Sequence, residues 1–322
     1  MCNPAIPATT MTYSTPLRIA IVQFAPKIGQ VSVNLARARE ICRHLKPKSL
    51  DLVCFPEMIM SGYNFENAQA ISLHLEHPKT GPTSRFCAEL ASQLKCYVFA
   101  GYPEKLSDDE AKSTEGPHAD SQTIVGANSA VLYGPEGEWV GHYRKTNLFV
   151  TDKSWAKPGT GFATFHLPSP LRTLSFGICN DLNPVKPETW TLEEGPYEIA
   201  DYALTQNADM LVLLNAWLDS GKEEDEDIDW HTLNYWAARL RPLWIDGDVI
   251  SAPDENTQEE DSGAINGNEM IVVVCNRTGE ERGKTFAGSS AIYSMRKGSG
   301  QPQLLHAMGR KEEGVRAWKL SV

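Results

Sequence analysis

Short apolar runs alternate along the chain with stretches in which apolar residues recur at helical spacing, and this alternation limits the possible folds. Leu17–Phe24 is followed by Gly29–Leu45, where apolar residues recur every three to four positions, and then by a second run, Leu50–Phe55. Runs of this length predict buried strands, and the stretches between them predict helices with one buried face. Further strand-like runs are Cys96–Gly101, Thr123–Tyr133, Glu138–Arg144, Leu171–Ile178, Met210–Leu214, Met270–Cys275, Phe286–Tyr293 and Val315–Leu320, and further helical patterns cover Thr83–Leu94, Glu198–Gln206 and Asp229–Leu243.

These elements predict an α/β fold. Gly134–Gly137 has the composition of a hairpin loop between two of the strands, which makes part of the sheet structure antiparallel. A length of 322 residues allows two domains, but we find no internal repeat or linker that divides the chain. We therefore predict a flexible tail over residues 1–16 and one domain over 17–322, with two packed mixed sheets and helices on the outside.

Composition excludes several classes of protein. No apolar run approaches the roughly 20 residues needed to span a bilayer, and the polar start, Met1–Thr15, lacks the features of a signal peptide. The seven cysteines are scattered without a Cys-x-x-Cys pair, which argues against a disulfide framework or a zinc site and favours a reducing compartment. A net charge of −11 disfavours nucleic acid and anionic membranes as partners. We expect a cytoplasmic location, with the nucleus as a second compartment.

Two polar stretches interrupt the pattern of strands and helices. Lys105–Ser121 is predicted to be a surface loop. Residues 220–268 form an acidic insertion that includes the run Glu223–Asp229 and the apolar-poor segment Asp246–Asn268.

Three reactive side chains stand just beyond strand-like runs: Glu57 after Phe55-Pro56, Lys145 after Arg144, and Cys179 after Ile178. Strand ends of an α/β sheet converge in space, so these groups can meet although they are far apart in sequence. A carboxylate can take the proton of a thiol, and an ammonium can stabilise the oxyanion that forms when the thiolate attacks an amide or nitrile. Taken singly, each has an ordinary explanation, as a core cysteine, a helix-start glutamate and a surface lysine.

The contexts of these residues resemble the carbon–nitrogen hydrolase, or nitrilase, superfamily. Phe55-Pro-Glu-Met58 with Ser61-Gly-Tyr63, Gly141–Thr146 and Gly177–Asp181 are similar to its three signature blocks, in the same order. The resemblance extends over Leu17–Leu320 and includes the late Cys275-Asn-Arg-Thr278 and Phe286–Tyr293 blocks. It implies an αββα sandwich, a Glu57–Lys145–Cys179 triad, catalysis without a metal or organic cofactor, and a monomer or homodimer.

Within the superfamily, the chain most resembles the fungal amidohydrolases that act on protein N-termini. This likeness rests on Tyr143–Thr146, Gly177–Leu182, Ala216–Leu218, Asn234–Trp236 and the late Phe-Ala-Gly-Ser-Ser block. It implies deamidation of N-terminal Asn or Gln to Asp or Glu through a Cys179 thioester, with proteins or peptides that begin with these residues as partners. Such a reaction exposes proteins to an N-degron pathway.

One departure concerns a supporting acid. Many members carry a second glutamate a few residues beyond the lysine, where Asp152 is the nearest acidic residue here.

Three alternatives remain open at this stage. The same triad is compatible with an ω-amidase or an N-carbamoyl amino acid hydrolase, because specificity depends on pocket residues. A Cys-His enzyme would use His142, His166 or His231 as its base, although none lies in a matching motif. A catalytically silent interaction protein would use the acidic run as a docking surface.

Four further residues are candidates for substrate binding. The Asn180 backbone N–H follows the nucleophile and could join Lys145 in stabilising an oxyanion. Asp181 could accept a bond from a substrate α-ammonium, or else bond the backbone of its own turn. Tyr63 and Trp217 are candidate walls of the pocket.

Overall fold

The computed structural model describes residues 16–112, 124–222, 225–246 and 269–321. Most of the predicted tail, and residues 223–224 and 247–268 of the predicted acidic insertion, lie outside these described residues. No helix within the described ranges is long and apolar enough to cross a membrane.

The first sheet has six strands in the order β14-β1-β2-β3-β4-β5. Its central pairs β1–β2 and β2–β3 are parallel, whereas β14–β1, β3–β4 and β4–β5 are antiparallel. The predicted hairpin around Gly134–Gly137 is therefore confirmed as the β4–β5 connection. The strands are β1 Leu17–Gln23, β2 Leu52–Phe55, β3 Tyr97–Lys105, β4 Gly126–Tyr133, β5 Trp139–Arg144 and β14 Gly314–Leu320.

The second sheet has six strands in the order β13-β12-β9-β8-β7-β6. It repeats the pairing pattern of the first sheet, with two parallel pairs, β7–β8 and β8–β9, flanked by antiparallel ones. Its strands are β6 Ala163–His166, β7 Thr173–Ile178, β8 Met210–Asn215, β9 Glu269–Asn276, β12 Ala291–Arg296 and β13 Gln303–Ala307, and a separate small hairpin pairs β10 Glu280–Glu281 with β11 Lys284–Thr285.

Helices cover the outer faces of both sheets. Phe86 of α3 packs with β2 on the outside of the first sheet, and Trp236 of α6 packs with β8 on the outside of the second. The helices are α1 Val31–Cys42, α2 Ala68–Ser72, α3 Pro82–Leu94, α4 Asp108–Lys112, α5 Glu198–Thr205 and α6 Trp230–Arg239, and short 3₁₀ turns cover Asp152–Ser154, Cys179–Leu182 and Arg241–Leu243.

The inner faces of the two sheets share one buried cluster. Phe99 of β3 stacks on Phe176 of β7 with ring centroids 3.9 Å apart, and both belong to a core that joins the sheets. This layered arrangement confirms the predicted αββα sandwich.

Some element predictions were wrong. The strand predicted over Phe286–Tyr293 begins only at Ala291, because the preceding residues form a loop with a positive φ at Gly288 and Ser289. Part of the predicted Lys105–Ser121 loop is instead strand β3 and helix α4, while residues 113–121 lie outside the described chain. Strands β6 and β13 were missed, because both are short and only half-buried and so lack a continuous apolar run.

Candidate active site

The ends of β2 and β7 carry unusual backbone conformations. Cys179 has a φ of 45° and Met58, directly after Glu57, has a φ of 46°. Few residues other than glycine adopt this left-handed region, and such strain persists only where the surrounding structure enforces it. The chain therefore turns sharply just after strand β2 and just after strand β7, and Glu57 and Cys179 lie at these turns.

Glu57 lies at the centre of a buried polar cluster. Its Oε1 accepts hydrogen bonds from Lys145 Nζ at 2.7 Å and Asn128 Nδ2 at 2.6 Å. Its Oε2 accepts the backbone N–H of Ala216 at 2.8 Å. Because Ala216 follows strand β8, this last bond joins the polar ends of the two sheets.

Lys145 is fully buried between two carboxylates. Its Nζ is 2.7 Å from Glu57 Oε1 and 2.7 Å from Asp152 Oδ2, and all three side chains are 0% exposed. The same Nζ lies 5.5 Å from the ring centroid of Tyr63. The lysine is therefore a fixed internal cation and not the surface charge that a lysine at a strand end usually is.

Asp152, the nearest acidic residue beyond Lys145 in the chain, is the second carboxylate in contact with the lysine. Besides Lys145, it accepts bonds from Asn128 Nδ2 at 3.0 Å and from the Phe149 N–H at 3.0 Å. Asn128 thus donates to both carboxylates that flank the lysine. Sequence reasoning missed Asn128, since it lies within strand β4 and no motif marks it.

Cys179 is buried beside this cluster, with 7% of its surface exposed. Its backbone N–H donates to Asn215 Oδ1 at 3.1 Å, which ties the end of β7 to the end of β8. Burial and the neighbouring Glu57 raise the pKa of the Cys179 thiol well above its usual value, although Lys145 and a hydrogen bond from the Ala216 N–H oppose that rise. The Ala216 amide therefore interacts with both the thiol and the carboxylate.

The charges of the cluster are tuned by burial and by one another. Burial, reinforced by Asp152, raises the pKa of Glu57 in spite of the adjacent Lys145. Burial disfavours the ammonium of Lys145, but the carboxylates of Asp152 and Glu57 outweigh it and hold its pKa well above the usual value. A carboxyl group with a raised pKa accepts a proton more readily than an ordinary carboxylate, while the lysine keeps its charge.

Asp181 is committed to the turn after the nucleophile. It accepts bonds from the Ile178, Thr146 and Asn147 N–H groups and from the Tyr143 hydroxyl, at 2.7 to 3.0 Å. Four donors occupy its two oxygens, so the geometry fits the backbone-bonding interpretation of Asp181 better than a role in binding an α-ammonium.

Asn180 lies in the first turn of the 3₁₀ segment that begins at Cys179. Its side chain donates to the Asn147 carbonyl and accepts a bond from Asn183. Its backbone N–H therefore has a fixed direction beside the thiol, in a turn where the first N–H groups lack helical partners.

Tyr63 and Trp217 each lie next to a residue of the cluster, Tyr63 beside Lys145 and Trp217 beside Ala216 in the chain. The ring of Tyr63 contacts Phe286 edge-to-face, and its buried hydroxyl has no hydrogen-bond partner among the described residues. Trp217 directly follows Ala216, is half-buried, and lies 5.7 Å from the ring of Tyr235.

The three histidines considered as alternative bases are exposed, whereas the thiol is buried. His142 lies on β5 beside Trp139, and His166 and His231 also face solvent. Within the part of the chain that the structure describes, no group of three or more His, Cys, Asp or Glu side chains is arranged to hold a metal ion. The only reactive constellation that the candidate residues form is thus a thiol beside a carboxylate and an ammonium.

Comparisons with known proteins agree with this geometry. The model of the carbon–nitrogen hydrolase family matches residues 18–190. The chain is 31% identical over 303 residues to the protein N-terminal amidase of Schizosaccharomyces pombe, which covers 88% of this chain and 92% of that protein. It is 28% identical over 234 residues to the protein N-terminal amidase of Saccharomyces cerevisiae, covering 65% of this chain but only 47% of that longer protein.

A solved structure shares the fold. The crystal structure of N-terminal amidase with an Asn-Glu-Ala peptide aligns with a TM-score of 0.74 at 20% identity, over 95% of this chain and 98% of that one.

Proposed function

The chain belongs to the carbon–nitrogen hydrolase family, and we propose that it hydrolyses the side-chain amide of an N-terminal Asn or Gln in proteins and peptides. The products are N-terminal Asp or Glu and ammonia. The observation that carries this proposal is the buried Glu57–Lys145 pair beside the strained Cys179, in a chain similar to protein N-terminal amidases.

In the first half of the reaction, Glu57 removes the proton of Cys179 and the thiolate attacks the carboxamide carbon. The resulting oxyanion is stabilised by the Lys145 ammonium and the Asn180 N–H. Glu57 then returns the proton to the departing nitrogen, so that ammonia leaves and a thioester on Cys179 remains.

In the second half, Glu57 removes a proton from a water molecule that attacks the thioester. The C–S bond breaks, Glu57 returns this proton to the sulfur so that the thiol is restored, and the new carboxylic acid is released and ionises. Asp152 and Asn128 support both halves, because their contacts fix Lys145 and Glu57 in one geometry.

Selection of an N-terminal residue requires recognition of a free α-ammonium, since Asn and Gln within a chain must not react. Tyr63 and Trp217 supply the apolar walls in this proposal, and oxygen atoms at the mouth of the pocket supply acceptors for the ammonium. The product then enters an N-degron pathway in the cytoplasm or nucleus.

The decisive experiment measures ammonia release from a panel of amides. The panel contains peptides that begin with Asn or Gln, the same peptides with acetylated N-termini, free asparagine and glutamine, and N-carbamoyl amino acids. We expect turnover of the free peptides and loss of turnover on acetylation. Equal rates on free and acetylated peptides, or a preference for the free or carbamoyl amino acids, would replace N-terminal specificity with a small-molecule amidase activity.

A further inference from the structure

Another buried ion pair, Arg277–Glu281, lies beside Tyr63 and includes no member of the triad or of its supporting residues. Arg277 Nη1 is 2.6 Å from Glu281 Oε2, and the two side chains are 0% and 2% exposed. Arg277 belongs to the Cys275–Thr278 block at the end of strand β9, and Glu281 lies in the small β10 strand that follows.

This pair is costly to bury. Two other nitrogens of Arg277, Nε and Nη2, have no hydrogen-bond partner within the described part of the chain, and the guanidinium instead lies 3.8 Å from the ring centroid of Phe286. Replacing a buried ion pair with apolar residues is often neutral or stabilising, so such a pair is weak evidence for stability alone. An incompletely satisfied buried arginine calls for another explanation.

Glu281 connects the pair to Tyr63. Its Oε1 accepts the backbone N–H of Tyr63 at 2.9 Å and the N–H of Asn64. Gly62 packs directly on the same carboxylate, because a Cβ at that position would lie 2.8 Å from Glu281 Oε2 and the φ of +82° already favours glycine. The turn that carries Tyr63 is therefore fixed by one carboxylate, which Arg277 in turn holds.

Tyr63 lies beside Lys145, and its hydroxyl makes no hydrogen bond to the described residues. Its ring centroid is 5.5 Å from Lys145 Nζ, and its buried hydroxyl has no internal partner within the described residues. A buried hydroxyl without a partner is unfavourable, and a hydrogen bond with a ligand would offset that cost. Burial raises the pKa of this phenol well above its usual value, so the neutral hydroxyl can both donate and accept.

Residues at the end of β9 hold the backbone N–H groups of both candidate walls, Tyr63 and Trp217. Asn276 Oδ1 accepts the Trp217 N–H at 2.8 Å, while the next residue, Arg277, holds the acceptor of the Tyr63 N–H. Asn276, the last residue of β9, and Arg277, which follows it, thus fix the backbones of the two aromatic walls.

We propose that Arg277 and Glu281 are positioning residues that hold the Tyr63 turn, and that the Tyr63 hydroxyl hydrogen-bonds the substrate carboxamide beside Lys145. This inference rests on the proposed function and specifies which polar group of the site meets the reacting amide. In this proposal Arg277 and Glu281 act through the position of Tyr63 and do not touch the substrate.

The test combines two double variants with Tyr63→Phe. Arg277→Met/Glu281→Met removes the buried charges together with the acceptor of the Tyr63 N–H. Arg277→Met/Glu281→Gln also removes the ion pair, but the Gln carbonyl can still accept the Tyr63 and Asn64 N–H groups. We expect kcat/KM to fall about tenfold or more in the Met/Met variant and to recover to within about threefold of wild type in the Met/Gln variant.

Combining Tyr63→Phe with the Met/Met variant distinguishes a positioning role from a purely structural one. If the ion pair only stabilised the fold, the effect of Tyr63→Phe on kcat/KM would be the same with and without it. On its own, Tyr63→Phe should lower kcat/KM about tenfold, and in the Met/Met background it should have almost no further effect, because the hydroxyl is already misplaced. Independent, multiplicative losses, or a folded Met/Met variant with wild-type kinetics, would overturn the proposal. An equally impaired Met/Gln variant would also contradict it.

A matched control uses the Arg18–Asp51 pair, at the opposite end of the first sheet from Glu57. Arg18→Met/Asp51→Met should leave kcat/KM unchanged. All kinetics use whichever amide of the panel the wild type hydrolyses, so failure of N-terminal specificity does not affect the result. If no amide is hydrolysed, the proposed function fails, and the same variants are compared by the rate at which iodoacetamide, itself a primary carboxamide, alkylates Cys179.

Discussion

Two consecutive residues, Arg144 and Lys145, each lie between two carboxylates, but the two clusters have opposite properties. Arg144 pairs with Glu104 and Glu110 at the edge of the first sheet, where its side chain is 20% exposed. Lys145 pairs with Glu57 and Asp152 at 0% exposure, beside Cys179. Because successive side chains alternate in direction, Arg144 points towards the partly exposed side of the strand end and Lys145 points into the sandwich.

The difference appears in the carboxyl groups. Hydrogen bonding to Arg144 lowers the pKa of Glu110 to about 2, so that this carboxylate is held as an anion. Burial raises the pKa of Glu57 although its ammonium partner is only 2.7 Å away. The number of ion pairs therefore says little about chemistry, whereas burial beside a thiol produces a carboxyl group that can exchange protons.

The largest expected effect concerns the thiol that only the buried cluster possesses. Cys179→Ala should reduce kcat by on the order of 10⁴-fold or more, because no other nucleophile lies in the cluster. Its melting temperature should stay close to that of the wild type. Cys42→Ala is the matched control, since Cys42 is also buried but lies on helix α1, and it should keep the wild-type kcat.

The next prediction compares Asp152, which pairs with Lys145, with Glu110, which pairs with Arg144. Asp152→Asn should lower kcat between about ten- and a hundredfold, because Lys145 loses one of its two anchors. Because the Asp152 carboxylate helps to raise the pKa of Glu57, the acid limb of the kcat/KM profile should also move to lower pH. Glu110→Gln, the equivalent change next to Arg144, should leave the profile in place; identical shifts in both variants would remove the distinction between the clusters.

The smallest effect extends the comparison to a buried carboxyl group bonded only by neutral donors. Glu76 accepts bonds from the Thr83 N–H and hydroxyl at the start of α3, and burial raises its pKa from 4.5 to about 7. The folded state then binds this proton more tightly than the unfolded state, so stability decreases as the pH rises from 4.5 to about 7. The full shift corresponds to about 3 kcal/mol at most.

Denaturant unfolding of the wild type and Glu76→Gln at several pH values measures this contribution. The wild type should lose stability relative to the variant across that interval, and turnover should be unaffected. A constant difference between the two proteins would show that Glu76 does not titrate abnormally.

The sequence predicted Glu57 and Cys179 at strand ends because each follows a buried apolar run, and Lys145 because it follows the strand-like but only partly buried run Glu138–Arg144. It could not predict that Asn128 bridges two carboxylates, since that contact joins the interior of β4 to residues far away in the chain. Asp152 was noticed only by its spacing from Lys145, and its contact with the lysine depends on the turn that contains it.

The remaining differences have the same origin. Asp181 follows the nucleophile and looks available in sequence, but three of its four donors belong to Tyr143, Thr146 and Asn147, a stretch that only the fold brings beside it. Arg277 belongs to the family-like Cys275–Thr278 block, but Glu281 lies outside it, and the bond from Glu281 to Tyr63 spans 218 positions.

The most direct test of the central claim compares kcat for Lys145→Met and Arg144→Met on one Asn-initiated peptide, with melting temperatures for both. The two changes remove adjacent cations that each pair with two carboxylates, so they match in charge and in local sequence. If the Lys145 ammonium stabilises an oxyanion, Lys145→Met should lower kcat on the order of 10²-fold or more, while Arg144→Met stays within about threefold of wild type. A folded Lys145→Met variant with the same kcat as Arg144→Met would contradict the account.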